Sequence, residues 1–99
     1  MRESTIQSRM LQWLNQQPTI WAYKAQASAY TGRGVPDIIA CVGGVFMAFE
    51  VKTATGKTTA LQDNTLRAIN AAGGTAHVVR SLDEVKTLVQ HAMKKDPAR

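Results

Sequence analysis

Two acidic residues and one lysine carry the chemistry this sequence could do. Glu50 and Lys52 lie in the run Phe46-Met47-Ala48-Phe49-Glu50-Val51-Lys52, which is apolar and rich enough in aromatic and β-branched residues to predict a strand. Alternate side chains of a strand share a face, so Glu50 and Lys52 point one way while Phe49 and Val51 point the other, into apolar surroundings. Asp37 opens the preceding apolar run, Asp37 to Val42, and Gly43-Gly44 between the two runs suits the positive φ of a two-residue hairpin turn. Counting outward from that turn, 43 pairs with 44 and 37 with 50, so two carboxylates converge beside one lysine.

Two carboxylates in register repel each other, and one of them has its pKa raised unless a cation intervenes. A hard divalent ion such as Mg²⁺ or Mn²⁺ takes oxygen ligands, and Asp37, Glu50 and the backbone carbonyl of Val51 supply that kind of donor. Lys52 beside them could lower the pKa of an attacking water or stabilise charge growing on a phosphate. The chemistry this predicts is hydrolysis of a phosphodiester. An isolated E-V-K also has a plain structural reading, a polar edge where a strand leaves the core, and Asp37 in the neighbouring strand shifts the balance towards a site.

Composition fits a polyanionic substrate. Twelve Lys and Arg against seven Asp and Glu give a net charge of +5, which draws polyanions such as nucleic acid. The basic residues are scattered along the chain, so any binding patch has to be assembled by the fold. At 99 residues there is room for one core, taken here as residues 1–95 with a frayed tail over 96–99. A chain this short buries only roughly 60 to 70% of its unfolded surface, which makes a partner subunit an expectation. No apolar run reaches the roughly 18 residues of a membrane span, and no secretory leader opens the chain, which reads as intracellular and cytoplasmic. Cys41 is the sole cysteine, so neither an internal disulfide nor a Cys/His zinc site is expected.

The elements that must position these residues follow from periodicity. Ile6, Met10, Trp13 and Leu14 recur at helical spacing, predicting a helix over about 4–16, capped by Ser4 or Thr5 and closed by Pro18. Thr19 to Ser28 predicts a first strand with Trp21 and Tyr23 on one face; aromatic core packing is the favoured reading of that pair over stacking on a nucleotide. Tyr30 to Pro36, with Gly32 and Gly34, is a loop. Asp37–Val42 and Val45–Lys52 form the hairpin. Thr53 to Lys57 is polar; Leu61, Thr65, Ala68, Ile69 and Ala72 then define a second helix stopped by Gly73 or Gly74. Thr75 to Arg80 is a strand, and Ser81 with Glu84 forms a capping box for a third helix ending near Lys94. The order α, β, β, β, α, β, α predicts an α/β fold, a mixed sheet flanked by helices with the second and third strands at its core.

The series Gly34-Val35-Pro36-Asp37 followed thirteen residues after Asp37 by Glu50-Val51-Lys52 resembles the signature of the PD-(D/E)XK nucleases, and the order of elements resembles their restriction-endonuclease-like core, αβββαβ(α). The short chain, the G-x-P-D form and Gln62 at the head of the second helix look most like the VRR-NUC (virus-type replication-repair nuclease) branch and its Holliday junction resolvase relatives, over residues 3–90. The resemblance implies a metal-dependent endonuclease in which Asp37 and Glu50 bind Mg²⁺ or Mn²⁺, Val51 lends its carbonyl and Lys52 assists the attacking water. It also implies an acid on the first helix, Glu3, at the metal, and a site role for Gln62. Glu3 has an alternative as an acid favoured by the positive end of a helix, and Gln62 as the third residue of a capping box with Thr59; the latter two roles are compatible. By the same resemblance the substrate is branched DNA, four-way junctions in particular, cut by a homodimer in repair or recombination, in a phage, virus or bacterium.

Arg33, Lys57, Tyr30 and Lys24 are the candidate DNA contacts, three of them near the proposed site and Lys24 following the aromatic pair. Other constellations fail. Gly56-Lys57-Thr58 lacks the first glycine of a P-loop, since Val51 stands there, and Gly32-Arg33-Gly34 lacks the third glycine of a dinucleotide fingerprint, so no nucleotide cofactor is expected. His77 and His91 have no ligand spacing, and Cys41 reads as a small core residue. Two rivals stand beside the junction-cutting enzyme: a non-catalytic DNA-binding module on a nuclease scaffold, and a nicking or restriction-type nuclease that needs a partner protein.

Overall fold

The computed structural model describes residues 1–26 and 34–94. The elements are α1 (Glu3–Asn15), β1 (Ile20–Lys24), β2 (Ile38–Val42), β3 (Val45–Val51), α2 (Ala60–Ala71), β4 (Thr75–Val79) and α3 (Leu82–Lys94). The four strands form one sheet in the order β1-β2-β3-β4, antiparallel except for the parallel β3–β4 pair, so α2 is the crossover that carries the chain from β3 to β4. Val42 pairs with Val45 and Ile38 with Phe49. Extending that register by one residue sets Asp37 opposite Glu50, as the symmetry about Gly43-Gly44 predicts. Both glycines have positive φ, 54° and 87°.

The sheet's two faces are covered unequally. One packs Ile20, Ala22, Ile38, Ala40, Val42, Met47, Phe49, Val51 and Val79 against Ile6, Met10 and Leu14 of α1 and Val85 and Val89 of α3. On the opposite face α2 lays Leu66 and Ile69 over Ala48, Ala76, Ile39 and Val78, a smaller cluster. One helix cannot span four strands, and this one contacts β4. Trp21, Tyr23 and Cys41 therefore do not join the core as their sequence context suggests: all three are exposed, on the half of that face beyond α2.

Local boundaries also shift. The N-cap of α1 is Arg2, which makes no side-chain capping bond, and Ser4 and Thr5 lie inside the first turn, because the amides of Thr5 and Ile6 both donate to the Arg2 carbonyl. Around α3 the amide of Glu84 donates to Ser81 Oγ at 3.2 Å, while the Glu84 carboxylate accepts from the Arg80 amide at 3.1 Å, one residue earlier than a capping box requires. Residues 27–28 of the expected first strand and the tail from Lys95 lie outside the described residues.

Each edge strand of the sheet has one residue paired through its backbone to an asparagine side chain. Asn15, at the end of α1, donates to the Ala22 carbonyl and accepts from its amide, each at 2.9 Å. Asn70, near the end of α2, does the same for Ala76 at 3.2 and 2.9 Å. At each edge an amide side chain therefore takes up the outward-facing backbone groups of one strand residue, Ala22 in β1 and Ala76 in β4, where another strand would otherwise add.

Gly34 has φ of 84°, and a Cβ there would lie 2.6 Å from the Leu61 carbonyl oxygen and 3.0 Å from Thr65 Oγ1. The glycine lets the backbone leading into Asp37 lie directly on α2. Gly34→Ala combines left-handed backbone strain with a clash against main chain, and we expect it to destabilise the fold by at least about 2 kcal/mol, measured as a fall in the urea midpoint; an unchanged midpoint would contradict this packing.

Candidate active site

Buried Pro36 delivers the chain into β2, and Asp37 follows it at the strand's head. The Asp37 carbonyl accepts from the Ala25 amide at 2.9 Å, continuing the β1–β2 ladder, and its Oδ2 accepts from the Val51 amide at 2.8 Å. A side-chain oxygen thus ties the head of β2 to the end of β3, which brings the Asp37 carboxylate to the Glu50 carboxyl.

Glu50 is 2% exposed, the one charged side chain of the described residues in the buried class, and its Oε1 has no hydrogen-bond partner. Its Oε2 lies 3.9 Å from Lys52 Nζ, a loose ion pair. Burial first, then the hydrogen bond and charge repulsion of Asp37, push the Glu50 pKa up to about 8; Lys52 pulls it down, and Glu3 adds repulsion from α1. A native fold rarely leaves a buried carboxyl oxygen unpaired, since doing so costs on the order of 1–3 kcal/mol. Here the deficit sits beside a second carboxylate and an ammonium.

Asp37, Glu50 and Lys52, marked by their spacing, and Glu3, implied by the family resemblance, are therefore within electrostatic range of one another at Glu50. Among the described residues no group of three or more acidic, histidine or cysteine side chains is arranged to hold a metal ion, so the side-chain oxygens on offer are those of the Asp37–Glu50 pair. Gln62 has its side-chain carbonyl engaged by the Thr59 amide at 2.9 Å, while its own amide donates to Thr59 Oγ1 at 3.2 Å, a complete capping box. Lys24 and Lys57 are exposed, at the end of β1 and ahead of α2. Tyr30 and Arg33 lie outside the described residues.

Sequence reasoning missed Arg80. Its Nη1 donates to the carbonyls of Thr53 and Gly56, at 2.5 and 2.7 Å, and so clamps the turn that immediately follows Lys52. The Lys52 amide donates in turn to the Val79 carbonyl at 3.0 Å. The end of β4 thus holds the lysine from both sides. An arginine just after an apolar strand gives no sign of this reach, because the parallel register that sets Val51 beside Val79 is a property of the crossover. His77 is half-buried, with its pKa lowered by burial, and His91 is exposed.

Comparisons with known proteins bear on the family and the fold. The profile of the archaeal Holliday junction resolvase family (Hjc) matches residues 16–95. The chain belongs to that family. Two solved structures share the resolvase-like chain's fold: one described as a VRR_NUC domain protein, with TM-score 0.78 and 19% identity over 95% of this chain and 89% of that one, and one described as a VRR_NUC domain, with TM-score 0.73 and 24% identity over 90% and 95%. No curated protein matches the chain. The mixed four-stranded sheet flanked by helices is the VRR_NUC nuclease fold, and family membership makes the chain a nucleic-acid hydrolase by kind. No helix among the described residues is long and apolar enough to cross a membrane.

Proposed function

We propose that the protein is a Mg²⁺- or Mn²⁺-dependent endonuclease that hydrolyses phosphodiesters in branched DNA, four-way junctions foremost, as a homodimer. The observation that carries the reading is the unpartnered buried oxygen of Glu50 beside Asp37 and Lys52. This donor set fits a hard divalent cation. The donors are oxygens, two of them are carboxylates whose mutual repulsion a double positive charge would relieve, and one is left without a proton donor. Asp37 and Glu50 would hold the ion with the Val51 carbonyl, and Glu3 would add negative charge from α1. When bound, the ion supplies positive charge that acidifies water and offsets charge on a phosphate.

The chain's own residues do the rest. Asp37, fixed by the Val51 amide, holds one wall of the site in a single orientation. Lys52, largely shielded from water and braced by β4 and the Arg80 clamp, presents its ammonium where an attacking water and a phosphate oxygen would meet, and stabilises the charge that develops there. Gln62 caps α2 through Thr59. Lys24 and Lys57, with Arg33 and Tyr30 from the loop before β2, are the groups we assign to the flanking DNA backbone, where phosphate contacts set position rather than sequence.

The test is a cleavage panel of four-way junction, flap and linear duplex, each with Mg²⁺ and with excess EDTA. The reading expects junction cleavage in Mg²⁺ and none in EDTA. Cleavage that persists in EDTA, or survives Glu50→Ala, overturns the metal mechanism. Salt-dependent binding with no strand cut in Mg²⁺ or Mn²⁺ selects the non-catalytic binding module.

A further inference from the structure

A cavity of about 200 Å³ opens where the first half of α1 meets the turn between β4 and α3, with Ile6 and Arg9 on the helix side and Arg80, Ser81 and Leu82 on the turn side. Ile6 and Arg9 follow Glu3 along α1, and Glu3 is the residue of that helix whose charge acts on Glu50. Arg80 is also the clamp on the turn after Lys52. The cavity is thus connected to the acid pair through both α1 and β4.

Its polar groups are donors that the fold leaves unused. Among the described residues Arg9 makes no hydrogen bond or ion pair. Arg80 gives both Nη1 hydrogens to the Thr53 and Gly56 carbonyls, which leaves the hydrogens of Nη2 and Nε. Ser81 Oγ accepts from the Glu84 amide, so its own hydrogen remains to be donated. No residue lining the cavity is acidic; Asp83 and Glu84 line a different groove, with His77 and Thr87. A single exposed arginine needs no ligand. Two guanidinium groups facing one concavity repel each other, and an anion between them turns that repulsion into attraction. The apolar walls of Ile6 and Leu82 strengthen the field there relative to an open surface.

We propose that this cavity binds a backbone phosphate of the DNA strand being cut, one that flanks the scissile phosphate, with Arg9, Arg80 and Ser81 as its donors. A phosphodiester presents two acceptor oxygens and a negative charge, which guanidinium groups match with paired N–H···O bonds. The assignment rests on the nuclease reading for the identity of the strand, and names where that strand is held away from the acid pair. Arg80 would then touch the phosphate and the turn after Lys52 at once, so anchoring the strand here also fixes it relative to the lysine.

The test measures binding of a four-way junction to the full chain in EDTA, so that no cleavage is needed. Arg9→Gln is the variant of choice, because Arg80 also holds the turn after Lys52. It is expected to weaken binding at least about fivefold and to lower the slope of log Kd against log salt by about one. Lys94→Gln removes an equal charge from the far end of α3 and should change affinity by less than about twofold. Junctions carrying one uncharged methylphosphonate, moved step by step along a strand, then locate the contact. At one position near the cut made in Mg²⁺, the neutral linkage should weaken the wild type as much as Arg9→Gln does, and should not weaken Arg9→Gln further. Equal losses in Arg9→Gln and Lys94→Gln, or an Arg9→Gln chain that keeps the full sensitivity of the wild type at every position, overturns the proposal. A chain with a coupled position that cuts nothing in Mg²⁺ or Mn²⁺ upholds the phosphate site and defeats the nuclease reading; one that cuts without a coupled position does the reverse.

Discussion

Glu50→Gln is expected to abolish cleavage and, in the same protein, to stabilise the metal-free chain at alkaline pH. Loss of a group that holds a catalytic cation and shapes the charge at a phosphate should cost at least about 10²–10³ in kcat. Stability moves the other way. The Glu50 carboxyl titrates at about 8 in the fold against 4.5 in the unfolded chain, so between these values the folded state binds more protons than the unfolded one. Native stability therefore falls as pH rises through that window and levels off above it. The full span corresponds to an upper bound of about 5 kcal/mol. A glutamine carries no such charge, so the variant's urea midpoint should vary much less between pH 5 and pH 9 and should exceed that of the wild type at pH 9. A wild-type stability that rises over the same interval, or a variant no more stable there, would contradict the buried, crowded carboxyl described above.

Lys52→Met should have the second largest effect. The ammonium is the attraction that opposes burial and Asp37 at Glu50, so removing it leaves the pair more reluctant to ionise. The carboxyl resonance of Glu50 in metal-free protein is expected to titrate above 8 rather than near it. Cleavage should fall by about 10²–10⁴, with the larger change in kcat, because the group acts on charge that develops during the reaction. A titration unmoved from that of the wild type would mean that the 3.9 Å contact carries no interaction.

Much of this site could be read directly from residue order, for identifiable reasons. A two-residue glycine turn fixes the sum of paired positions along a hairpin, so Gly43-Gly44 alone sets Asp37 opposite Glu50, and strand alternation puts Lys52 on the same side. The Thr59–Gln62 box and the stop at Gly73 are equally local, settled by residues three or four apart. What could not be read depends on the third dimension. Alternation separates Trp21 and Tyr23 from Ile20 and Ala22, but it does not say which face receives two helices and which receives one; that is decided by where the crossover helix lands. Cys41, an apolar-run residue that reads as core, is exposed for the same reason. The Arg80 clamp needs the parallel register of β3 and β4, which joins residues far apart in the chain. Glu3 lies in the first turn of α1 and adds charge repulsion at Glu50, an influence between residues far apart in the chain.

The central claim is that Asp37 and Glu50 together take a divalent cation, and proton release on binding tests it most directly. Near pH 6.5 the metal-free pair still holds the Glu50 proton, so an ion that uses both carboxylates must displace it. Titration calorimetry with Mn²⁺, repeated in buffers of different ionisation heat, should report close to one proton released per ion at pH 6.5, a release that fades by pH 9.5, and neither release nor comparable affinity in Asp37→Asn or Glu50→Gln. Binding with no proton released at pH 6.5, or binding equally tight in both variants, would place the ion elsewhere and contradict the account.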